Sequence, residues 1–284
     1  MPVVVVGNLV IGGSGKTPLA IELVAQLRAR GMRPGVVSRG FGRTSRQTLE
    51  VGISSPPAES GDEPLLIRRR ADCPVFVASR RAAAARALLA AYPDTNVIIA
   101  DDGLQHLRLA RDFEIAVFDT RGAGNGRLLP AGPLREPLSR LESIDARVAN
   151  GPSALAGSGF AMRIELGNLY QLVEPTHACP AAQFAGRHGR RVAAVAGIGN
   201  PTRFFEMLRG AGLVVAGYPF ADHHAFRQAD LTGIAAPIIV MTEKDALKCV
   251  DFDDRRIWVA PLTATVDTGL VDSILEKLRG RQAA

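Results

Sequence analysis

The sequence of 284 residues predicts a doubly wound α/β fold with a mostly parallel sheet and a second, smaller α/β lobe. Short β-branched runs alternate with helical stretches in the first half of the chain, which is typical of parallel strands joined by right-handed crossovers. A stretch rich in Gly, Ser and Pro over residues 149–189 interrupts this pattern, and the alternation then resumes. The composition agrees with a folded protein, because 47% of the residues are hydrophobic and 22% are charged.

The first half carries the elements of the larger sheet. Leu19, Leu23 and Leu27 recur every four positions and form the core-facing stripe of a helix that Gly31 ends. The predicted strands lie over residues 3–6, 35–38, 96–100 and 114–119, and the predicted helices over 17–30, 65–70 and around 82–91.

The second half predicts a separate lobe. Its strands are expected over residues 191–197, 213–220, 237–242 and 257–261. Because 284 residues exceed an average domain of roughly 100–200 residues, we expect two unequal parts and a connection between them. The predicted parts are a nucleotide- and substrate-binding core over 1–150, a linker or hairpin region over 151–190, and a smaller α/β lobe over 191–284 that completes a cleft.

The charge of the chain favours an acidic partner. A net charge of +6 and a pI of about 9.7 suit a phosphorylated substrate, an anionic membrane surface or nucleic acid, although high-GC codon usage is another explanation for the many arginines. Cys73, Cys179 and Cys249 are too widely spaced for a disulfide framework or a metal knuckle, which predicts a reducing, cytoplasmic setting. We expect neither a secretory leader nor a membrane span.

A glycine-rich loop follows the first strand and opens the first helix. Gly12-Gly13-Ser14-Gly15-Lys16-Thr17 lies between them, and glycines let backbone N–H groups turn onto phosphate oxygens at a helix N-terminus. Lys16 is expected to reach the β- and γ-phosphates of a nucleotide, and Thr17 to supply a hydroxyl ligand for Mg²⁺. The strict pattern has glycine where this chain has Val10, so the sequence predicts a variant P-loop and a P-loop NTPase-like fold; a turn that only caps the helix is the alternative.

Two carboxylates follow the strand over residues 96–100. Asp101 and Asp102 lie at the edge where open α/β sheets bind ligands, and one of them can hold Mg²⁺ opposite Thr17. The alternative is an ordinary Asp-Gly turn. His106 comes shortly afterwards and is a secondary candidate, since a lone histidine is more often structural.

Two further acidic positions are ambiguous when judged by residue type alone. Asp62 and Glu63 begin a helical stretch, where carboxylates are usually caps. Asp222, His223 and His224 cluster in the second lobe, where an acid beside paired histidines could orient an imidazole for proton transfer or bind a metal.

Several arginines and one polar cluster follow predicted strands. Glycine-flanked arginines allow close approach of a phosphate and bidentate contact, and solvated surface side chains are the alternative. The run Thr242-Glu243-Lys244-Asp245 could bind the nucleotide or close the cleft over it. The arginines in question are Arg39, Arg43, Arg81, Arg121, Arg127 and Arg135.

A set of short motifs occurs in order along nearly the whole chain. Together they resemble the tetraacyldisaccharide 4'-kinase family of the lipid A pathway; each is weak alone, whereas the ordered set is specific. The motifs are Val6-Gly7-Asn8, Gly12-Gly13-Ser14-Gly15-Lys16-Thr17-Pro18, Ser38-Arg39-Gly40-Phe41-Gly42-Arg43, Gly61-Asp62-Glu63-Pro64, Asp101-Asp102-Gly103-Leu104-Gln105-His106, Asn125-Gly126-Arg127-Leu128-Leu129-Pro130-Ala131-Gly132-Pro133-Leu134-Arg135-Glu136, Gly197-Ile198-Gly199-Asn200-Pro201, Asp222-His223-His224 and Thr242-Glu243-Lys244-Asp245-Ala246.

The resemblance implies an enzyme that uses ATP and Mg²⁺ to phosphorylate the 4'-hydroxyl of a tetraacylated glucosamine disaccharide 1-phosphate. It implies that Asp62 helps to deprotonate that hydroxyl, with His223 favoured over His224 as its partner. Lys16 acts on the transferring phosphate, and Asp101 and Asp102 take the metal side. The substrate contacts that we expect at lower rank are Asn8, Arg39, Arg81, His106 and Arg127.

The resemblance also implies where the enzyme works. Its partners are an anionic glycolipid and, peripherally, the cytoplasmic face of the inner membrane; no nucleic acid is expected and no protein partner can be inferred. Family members usually carry several dozen more N-terminal residues, including a helix that seats the enzyme on the membrane. Either this sequence is truncated there, or this member docks through basic and apolar surface alone.

Two other functions compete with the kinase. A soluble P-loop ATPase or GTPase of the partitioning or metal-insertion type also uses a glycine-shifted loop, but it has no need of Asp62 paired with a histidine of the second lobe. A nucleotide-gated binding module would transfer phosphate to no acceptor.

Overall fold

A run of valines forms the strand Val3–Gly7 (β1), which is buried throughout and lies near the middle of a nine-stranded sheet. The structure is a computed structural model that describes residues 1–157 and 159–282. The chain divides into two units: unit 1 comprises Met1–Ile164 and Ala264–Ala284, and unit 2 comprises Glu165–Thr263.

Strands and helices alternate through the first part of unit 1, as predicted. Short 3-10 helices also occur at Leu138–Ser143 and Ala154–Ala156. After β1 the elements are α1 (Lys16–Ala29), β2 (Pro34–Ser38), β3 (Leu49–Glu50), α2 (Pro57–Ser60), α3 (Asp62–Arg70), β4 (Val75–Val77), α4 (Arg81–Ala91), β5 (Val97–Ala100), β6 (Phe113–Asp119), β7 (Ala146–Asn150) and β8 (Phe160–Leu166).

Unit 2 follows, and the chain then returns to unit 1. The elements of unit 2 are β9 (Leu169–Gln171), β10 (Ala178–Cys179), α5 (Ala181–His188), β11 (Arg191–Ala196), α6 (Pro201–Gly210), β12 (Val214–Pro219), α7 (Gln228–Thr232), β13 (Ile239–Thr242), α8 (Glu243–Ala246) and β14 (Ile257–Ala260). The last two elements are β15 (Leu262–Val266) and α9 (Gly269–Gln282).

The order of the larger sheet locates a ligand-binding edge. The order is β15-β8-β7-β6-β1-β5-β2-β4-β3, and β1 pairs in parallel with both β5 and β6. The chain passes from β1 to β2 on one side and later crosses from β5 to β6 on the other, so the winding reverses beside β1. Open α/β sheets bind ligands outside the carboxyl ends of the strands at such a point.

Both faces of the larger sheet are covered. Val3 and Val5 pack with Leu88 of α4 in one buried cluster. Val4 and Val6 point to the opposite face and are buried as well. Helix α1 contacts α3 and α9. The predicted doubly wound, mostly parallel fold is therefore confirmed.

Unit 2 has its own core around a six-stranded sheet of order β10-β9-β14-β13-β11-β12. Alternate residues of β11 enter different clusters: Val192 packs with Phe204 of α6, whereas Val195 packs with Leu231 of α7. Strands β12, β11, β13 and β14 are parallel, and β9 joins β14 in antiparallel fashion. The predicted second, smaller α/β body is present.

The unit boundaries differ from the predicted parts 1–150, 151–190 and 191–284. The stretch over 151–190 contains β8, which extends the larger sheet beside β7, and β9 and β10, which belong to the sheet of unit 2. Breakers at Gly151-Pro152 and Cys179-Pro180 make these short strands look like a linker in the sequence. Each helix of the described chain is too short or too polar to cross a bilayer.

Candidate active site

The loop between β1 and α1 has the backbone of a phosphate cradle. Gly12 and Gly15 have φ of +93° and +102°, which side chains rarely tolerate. A Cβ on Gly15 would also lie 2.8 Å from Nδ2 of Asn150, an amide that donates to the Ser14 carbonyl at 3.0 Å. The first turn of α1 carries neither an acidic residue nor a side-chain cap, so its N–H groups suit an anion.

Asn8 lies fully buried under this loop and orients its lysine. The Asn8 amide donates to the carbonyls of Val10 and Gly12, and its oxygen accepts a hydrogen bond from Nζ of Lys16 at 3.2 Å. These contacts favour an orienting role for Asn8, and its contact with substrate stays a prediction. Thr17 lies in the first turn of α1, as expected for a metal-facing hydroxyl.

The two carboxylates after β5 have opposite electrostatic surroundings. Asp102 lies 3.6 Å from Lys16 and 3.1 Å from Nη1 of Arg135. Burial opposes the ionisation of Asp102, but the cations of Lys16, Arg135 and Arg81 outweigh it and hold its pKa below the ordinary value. Asp102 is therefore ionised, and the neighbouring cations offset its negative charge.

Asp101, in contrast, is only 1% exposed. Among the described residues, neither of its carboxylate oxygens has a hydrogen-bond partner. Burial, followed by the charges of Glu63 and Asp102, raises the pKa of Asp101 from 3.8 to about 7 against the pull of Lys16 and Arg81. A buried, unpartnered carboxylate beside a phosphate loop has the chemistry of an Mg²⁺ ligand.

Arg81 begins α4 rather than lying in a loop as predicted, because the helix starts one residue earlier than its alanine run suggests. Its side chain is 7% exposed, and Nη2 donates to the backbone carbonyl of Asp102 at 2.9 Å, while Nε has no partner in the described chain. Burial lowers the pKa of Arg81, with Arg39 adding repulsion. The guanidinium therefore faces the same edge as the two aspartates.

His106 supports the start of α4. Its Nε2 lies 3.3 Å from the Arg81 backbone N–H and accepts its hydrogen bond. Burial, and then the charges of Arg81 and Arg111, lower the pKa of His106, which keeps Nε2 neutral and able to accept. These contacts explain His106 as a helix-positioning residue.

Asp62 is brought to this edge by an unusually close contact between two glycines. A Cβ on Gly61, whose φ is +87°, would lie 2.9 Å from the Cα of Gly40. Asp62 follows as the first residue of α3 and is 6% exposed; its Oδ1 accepts from the Glu63 N–H at 3.0 Å. The influence of Glu63 on the pKa of Asp101 places the start of α3 near the end of β5.

A long excursion after β6, residues 120–136, wraps the phosphate loop. Its return segment bonds to the loop through Ile11 N–H to Pro133 carbonyl at 2.9 Å and Arg135 N–H to Leu9 carbonyl at 2.7 Å. This pairing delivers Arg135 to Asp102. The sequence singles out Arg135 through the motif over 125–136, whereas Arg121 lies outside every motif and is marked only by the glycine that follows it.

The other candidate arginines make fewer contacts with the phosphate loop and the two aspartates. Arg39 and Arg127 are exposed. Arg39 is close enough to lower the pKa of Arg81 and His106, whereas Arg127 bonds through its backbone to the Asn125 side chain and to the Leu134 N–H. Arg43 donates to the Gln47 carbonyl at 2.7 Å and so braces its own loop.

The histidine cluster lies in unit 2, after β12. His223 has φ +61°, a strained conformation for a residue with a side chain, and its N–H donates to the Gly197 carbonyl at 3.1 Å. His224 instead pairs with Asp230 at 3.0 Å and packs on Phe220 and Phe226. His224 is therefore satisfied within unit 2, Nε2 of His223 lies 3.8 Å from the Asp222 carboxylate, and the functional role of His223 stays a prediction.

The polar run after β13 is organised as a helix cap. Thr242 accepts from the Asp245 N–H at 3.1 Å, and the fully buried Asp245 carboxylate accepts from Gly197 N–H at 2.9 Å and from Lys248 at 2.8 Å. Lys244 lies 3.5 Å from Asp222. The cluster thus ties the loops after β11, β12 and β13 together within unit 2.

The chain is similar to known proteins over nearly its whole length. A family model described as tetraacyldisaccharide-1-P 4'-kinase (LpxK) matches residues 1–279. A tetraacyldisaccharide 4'-kinase from Dechloromonas aromatica is 50% identical, covering 100% of this chain and 86% of the relative. One from Methylobacillus flagellatus is 48% identical, covering 98% and 82%.

A solved structure shows the same likeness. The "apo" form of LpxK from Aquifex aeolicus in complex with ATP superposes with a TM-score of 0.77 at 29% identity, covering 98% of this chain and 88% of that one. The solved structure therefore shows the same fold and belongs to the same family as the relatives found by sequence.

Proposed function

The chain belongs to the tetraacyldisaccharide-1-P 4'-kinase family, and from this premise we propose which of its residues phosphorylate the 4'-hydroxyl of a tetraacylated glucosamine disaccharide 1-phosphate. This ATP-dependent reaction is a step of lipid A synthesis. The competing ATPase without a sugar acceptor is not favoured, because the family description and the relatives named above are all kinases of this disaccharide.

The strongest support from the structure is the carboxylate of Asp101 beside the phosphate loop, which has no hydrogen-bond partner among the residues that the structure describes. Together with the Thr17 hydroxyl it offers hard oxygen ligands for Mg²⁺, and Asp102 stays neutralised by Lys16 and Arg135. Mg²⁺ held by Asp101 and Thr17 would offset the negative charge of the phosphates. The loop N–H groups from Gly12 to Thr17 hold the phosphate chain, with Lys16 directed by Asn8.

Asp62 is proposed to accept the proton of the sugar hydroxyl. It is held rigidly at the start of α3 by the contact between Gly40 and Gly61, which suits a group that must stay within hydrogen-bond reach of the acceptor. His223 is proposed as the functional histidine of unit 2 on the basis of the family resemblance and of its strained backbone. Single substitutions at Asp62 and at His223 can test the two assignments separately.

Three cationic side chains are proposed to stabilise the transferring phosphoryl group and the substrate. Arg81 is the best placed, because it is buried, it contacts the carbonyl of Asp102, and its Nε has no partner within residues 1–157 and 159–282. Arg135 and Arg39 supply charge nearby, and phosphoryl transfer is stabilised chiefly by such preorganised charge. Arg127, exposed on the excursion after β6, is proposed to contact the glycolipid.

The rim around this edge is proposed to meet the lipid part of the substrate at an anionic membrane surface. Large apolar side chains are exposed in loops that follow four different strands of the larger sheet, with arginines between them. Apolar and basic groups together suit an interfacial enzyme. The apolar members are Ile11, Phe41, Leu107, Leu128 and Leu129.

Vesicle sedimentation tests the rim. Binding to vesicles with anionic lipid should fall when Leu128 and Leu129 are both changed to Ser and should weaken with salt. Equal binding of the variant and the parent protein would show that Leu128 and Leu129 do not contribute to membrane binding. Changing Val214, an exposed valine on β12 of unit 2, to Ser is the matched control.

The reaction itself is tested with labelled ATP, Mg²⁺ and the disaccharide 1-phosphate in detergent, followed by chromatography of the lipid. A labelled bisphosphate is expected. Asp62→Asn should lower kcat by about 10²-fold or more, the range of a general base, while the Kd of Mg·ATP stays unchanged. Glu59→Gln, an exposed carboxylate on α2, is the control. ATP hydrolysis without labelled lipid would favour the ATPase, and an unaltered kcat in Asp62→Asn would remove Asp62 from the chemistry.

A further inference from the structure

Asp119 and Arg121 form a fork at the carboxyl end of β6, the strand next to β1. Asp119 is 5% exposed, and its carboxylate accepts from Nε of Arg121 at 2.9 and 3.1 Å and from Nη2 at 2.7 Å. The Arg121 backbone N–H also donates to Asp119 at 3.0 Å. Bidentate geometry of this kind fixes the direction of the guanidinium.

The fixed guanidinium lies directly on the phosphate loop. A Cβ on Gly12 would be 2.7 Å from Nη1 of Arg121 and 3.4 Å from Nη2, so the planar group occupies the space that a side chain at Gly12 would take. Nη1 also lies 3.5 Å from the Ile11 carbonyl. Gly12 has φ +93°, so the arginine packs on the part of the loop that has unusual backbone geometry.

The same segment is also braced by the return of the excursion over residues 120–136. Ile11 and Leu9 are bonded to Pro133 and Arg135 there. The phosphate loop is thus held between Arg121 at the beginning of the excursion and a backbone pairing at its end.

Bracing matters for this loop because its glycines are conformationally free. Fixing the backbone of one residue costs roughly 1–2 kcal/mol, and glycine has the most freedom to lose. A loop that is ordered before the nucleotide arrives binds more tightly, since less of that cost falls on binding.

We propose that Asp119 and Arg121 are a positioning pair that holds the phosphate loop ready for the nucleotide. The pair is close to neutral as a unit, so its contribution is the shape of the loop rather than a net charge. The inference deepens the proposed function, on which it rests, because the property that the pair sets is the affinity for Mg·ATP.

The test compares three variants of the full chain by equilibrium binding of Mg·ATP and by steady-state kinetics. Arg121→Gln should raise the Kd and the KM of ATP about 10- to 100-fold, because the brace is lost and the Asp119 charge is left unpaired beside the phosphates. The KM of the glycolipid and the kcat at saturating ATP should stay within about threefold of the parent values, as expected for lost binding alone.

The double variant Asp119→Asn/Arg121→Gln separates shape from charge. It removes the unpaired carboxylate but not the loss of bracing, so the Kd should remain at least about fivefold above that of the parent protein. Recovery of the parent Kd would show that only the stranded charge mattered and would overturn the positioning role. Arg121→Lys, which keeps the charge but cannot form the fork, should give an intermediate Kd and guards against a failure to fold.

Arg256→Gln is the matched control, because Arg256 forms the same kind of fork with Asp254 ahead of β14 in unit 2. Its Kd for Mg·ATP should equal that of the parent. A parent protein that does not bind Mg·ATP would overturn the proposed function itself, whereas binding that is equal in the parent and in Arg121→Gln would overturn only the positioning pair. A kcat that falls together with the affinity would make Arg121 a phosphate contact and contradict the inference.

Discussion

The Asp101 carboxylate, the proposed Mg²⁺ ligand, lowers the stability of the metal-free protein when it is ionised. A carboxylate with no hydrogen-bond partner in the described chain and with almost no solvent contact is costly to ionise, which is why its pKa rises from 3.8 to about 7. The folded state therefore holds this proton more tightly than the unfolded chain does. The stability of the protein without metal falls as the pH rises from about 4 to about 7, and the deficit persists above that range.

Removing the charge at this position should stabilise the metal-free protein. Asp101→Asn is expected to raise the free energy of unfolding on the order of 1–3 kcal/mol at pH 8, since one pKa unit corresponds to about 1.4 kcal/mol and the buried amide stays unpaired. Near pH 4 both side chains are neutral and the difference should vanish. Urea unfolding in EDTA at the two pH values measures it.

The control for Asp101→Asn is Asp94→Asn, an exposed carboxylate ahead of β5, which should change little at either pH. Adding Mg·ATP should stabilise the parent protein more than the variant, because the variant lacks the proposed oxygen ligand. A variant that is less stable than the parent at pH 8 would contradict the electrostatic account.

The sequence could predict candidate site residues whose position depends on a local pattern. Lys16, Thr17, Asp101 and Asp102 could be predicted because each lies beside a glycine loop or directly after a strand. The partners of Asp102 and Gly12 could not, because Arg135 and Arg121 reach them by contacts between residues far apart in the chain. His106 was a candidate substrate contact, and only the hydrogen bond from Arg81 shows that it supports α4.

At the scale of elements, the start of α3 depends on two backbones in contact. Gly61 has φ +87°, and its Cα faces that of Gly40 with no room for a methyl group between them. The contact determines where Asp62 points, since Asp62 is the next residue. Gly42, on the same loop as Gly40, has φ +79°, but beyond its two chain neighbours no atom of the described residues lies within 4 Å of its Cβ position.

The two glycines therefore make a matched pair of substitutions. Both Gly61→Ala and Gly42→Ala place a methyl group on a residue with positive φ, at a cost of about 1–3 kcal/mol each. Gly61→Ala also separates α3 from the loop after β2, so we expect kcat to fall about tenfold or more while the Kd of Mg·ATP is retained. Equal rates in the two variants would show that the close contact does not position Asp62.

Elements with strong periodic patterns were predictable, and short strands between breakers were not. The structure confirms α1 and β1, β2, β5 and β6 to within a few residues of the predicted bounds. β8 is only partly buried, and the pairing that makes it a strand comes from β7 and β15, so nothing in its own residues separates it from a linker.

At the scale of the molecule, unit 1 is made of two separate stretches of chain and unit 2 of one. The C-terminal stretch supplies β15 and α9 to unit 1, and α9 buries Leu270, Val271, Ile274 and Leu278. Arg30 and Lys277 add ion pairs between α9 and the rest of unit 1, to Asp272 and Asp145. The sequence placed this stretch in the second lobe because its return to the larger sheet has no local signal.

This arrangement predicts that residues 165–263 can fold alone, whereas residues 1–164 cannot. Burying four large apolar side chains at about 1.5–3 kcal/mol each contributes as much as the 5–15 kcal/mol by which a whole domain is stable. Residues 1–164 expressed alone should therefore show no cooperative urea transition, whereas residues 165–263 alone should unfold cooperatively, because both clusters of their core are internal. Joining residues 264–284 to residues 1–164 through a flexible linker should restore the transition and Mg·ATP binding. A cooperative transition in residues 1–164 alone would mean that α9 and β15 are dispensable for the unit that carries the phosphate loop.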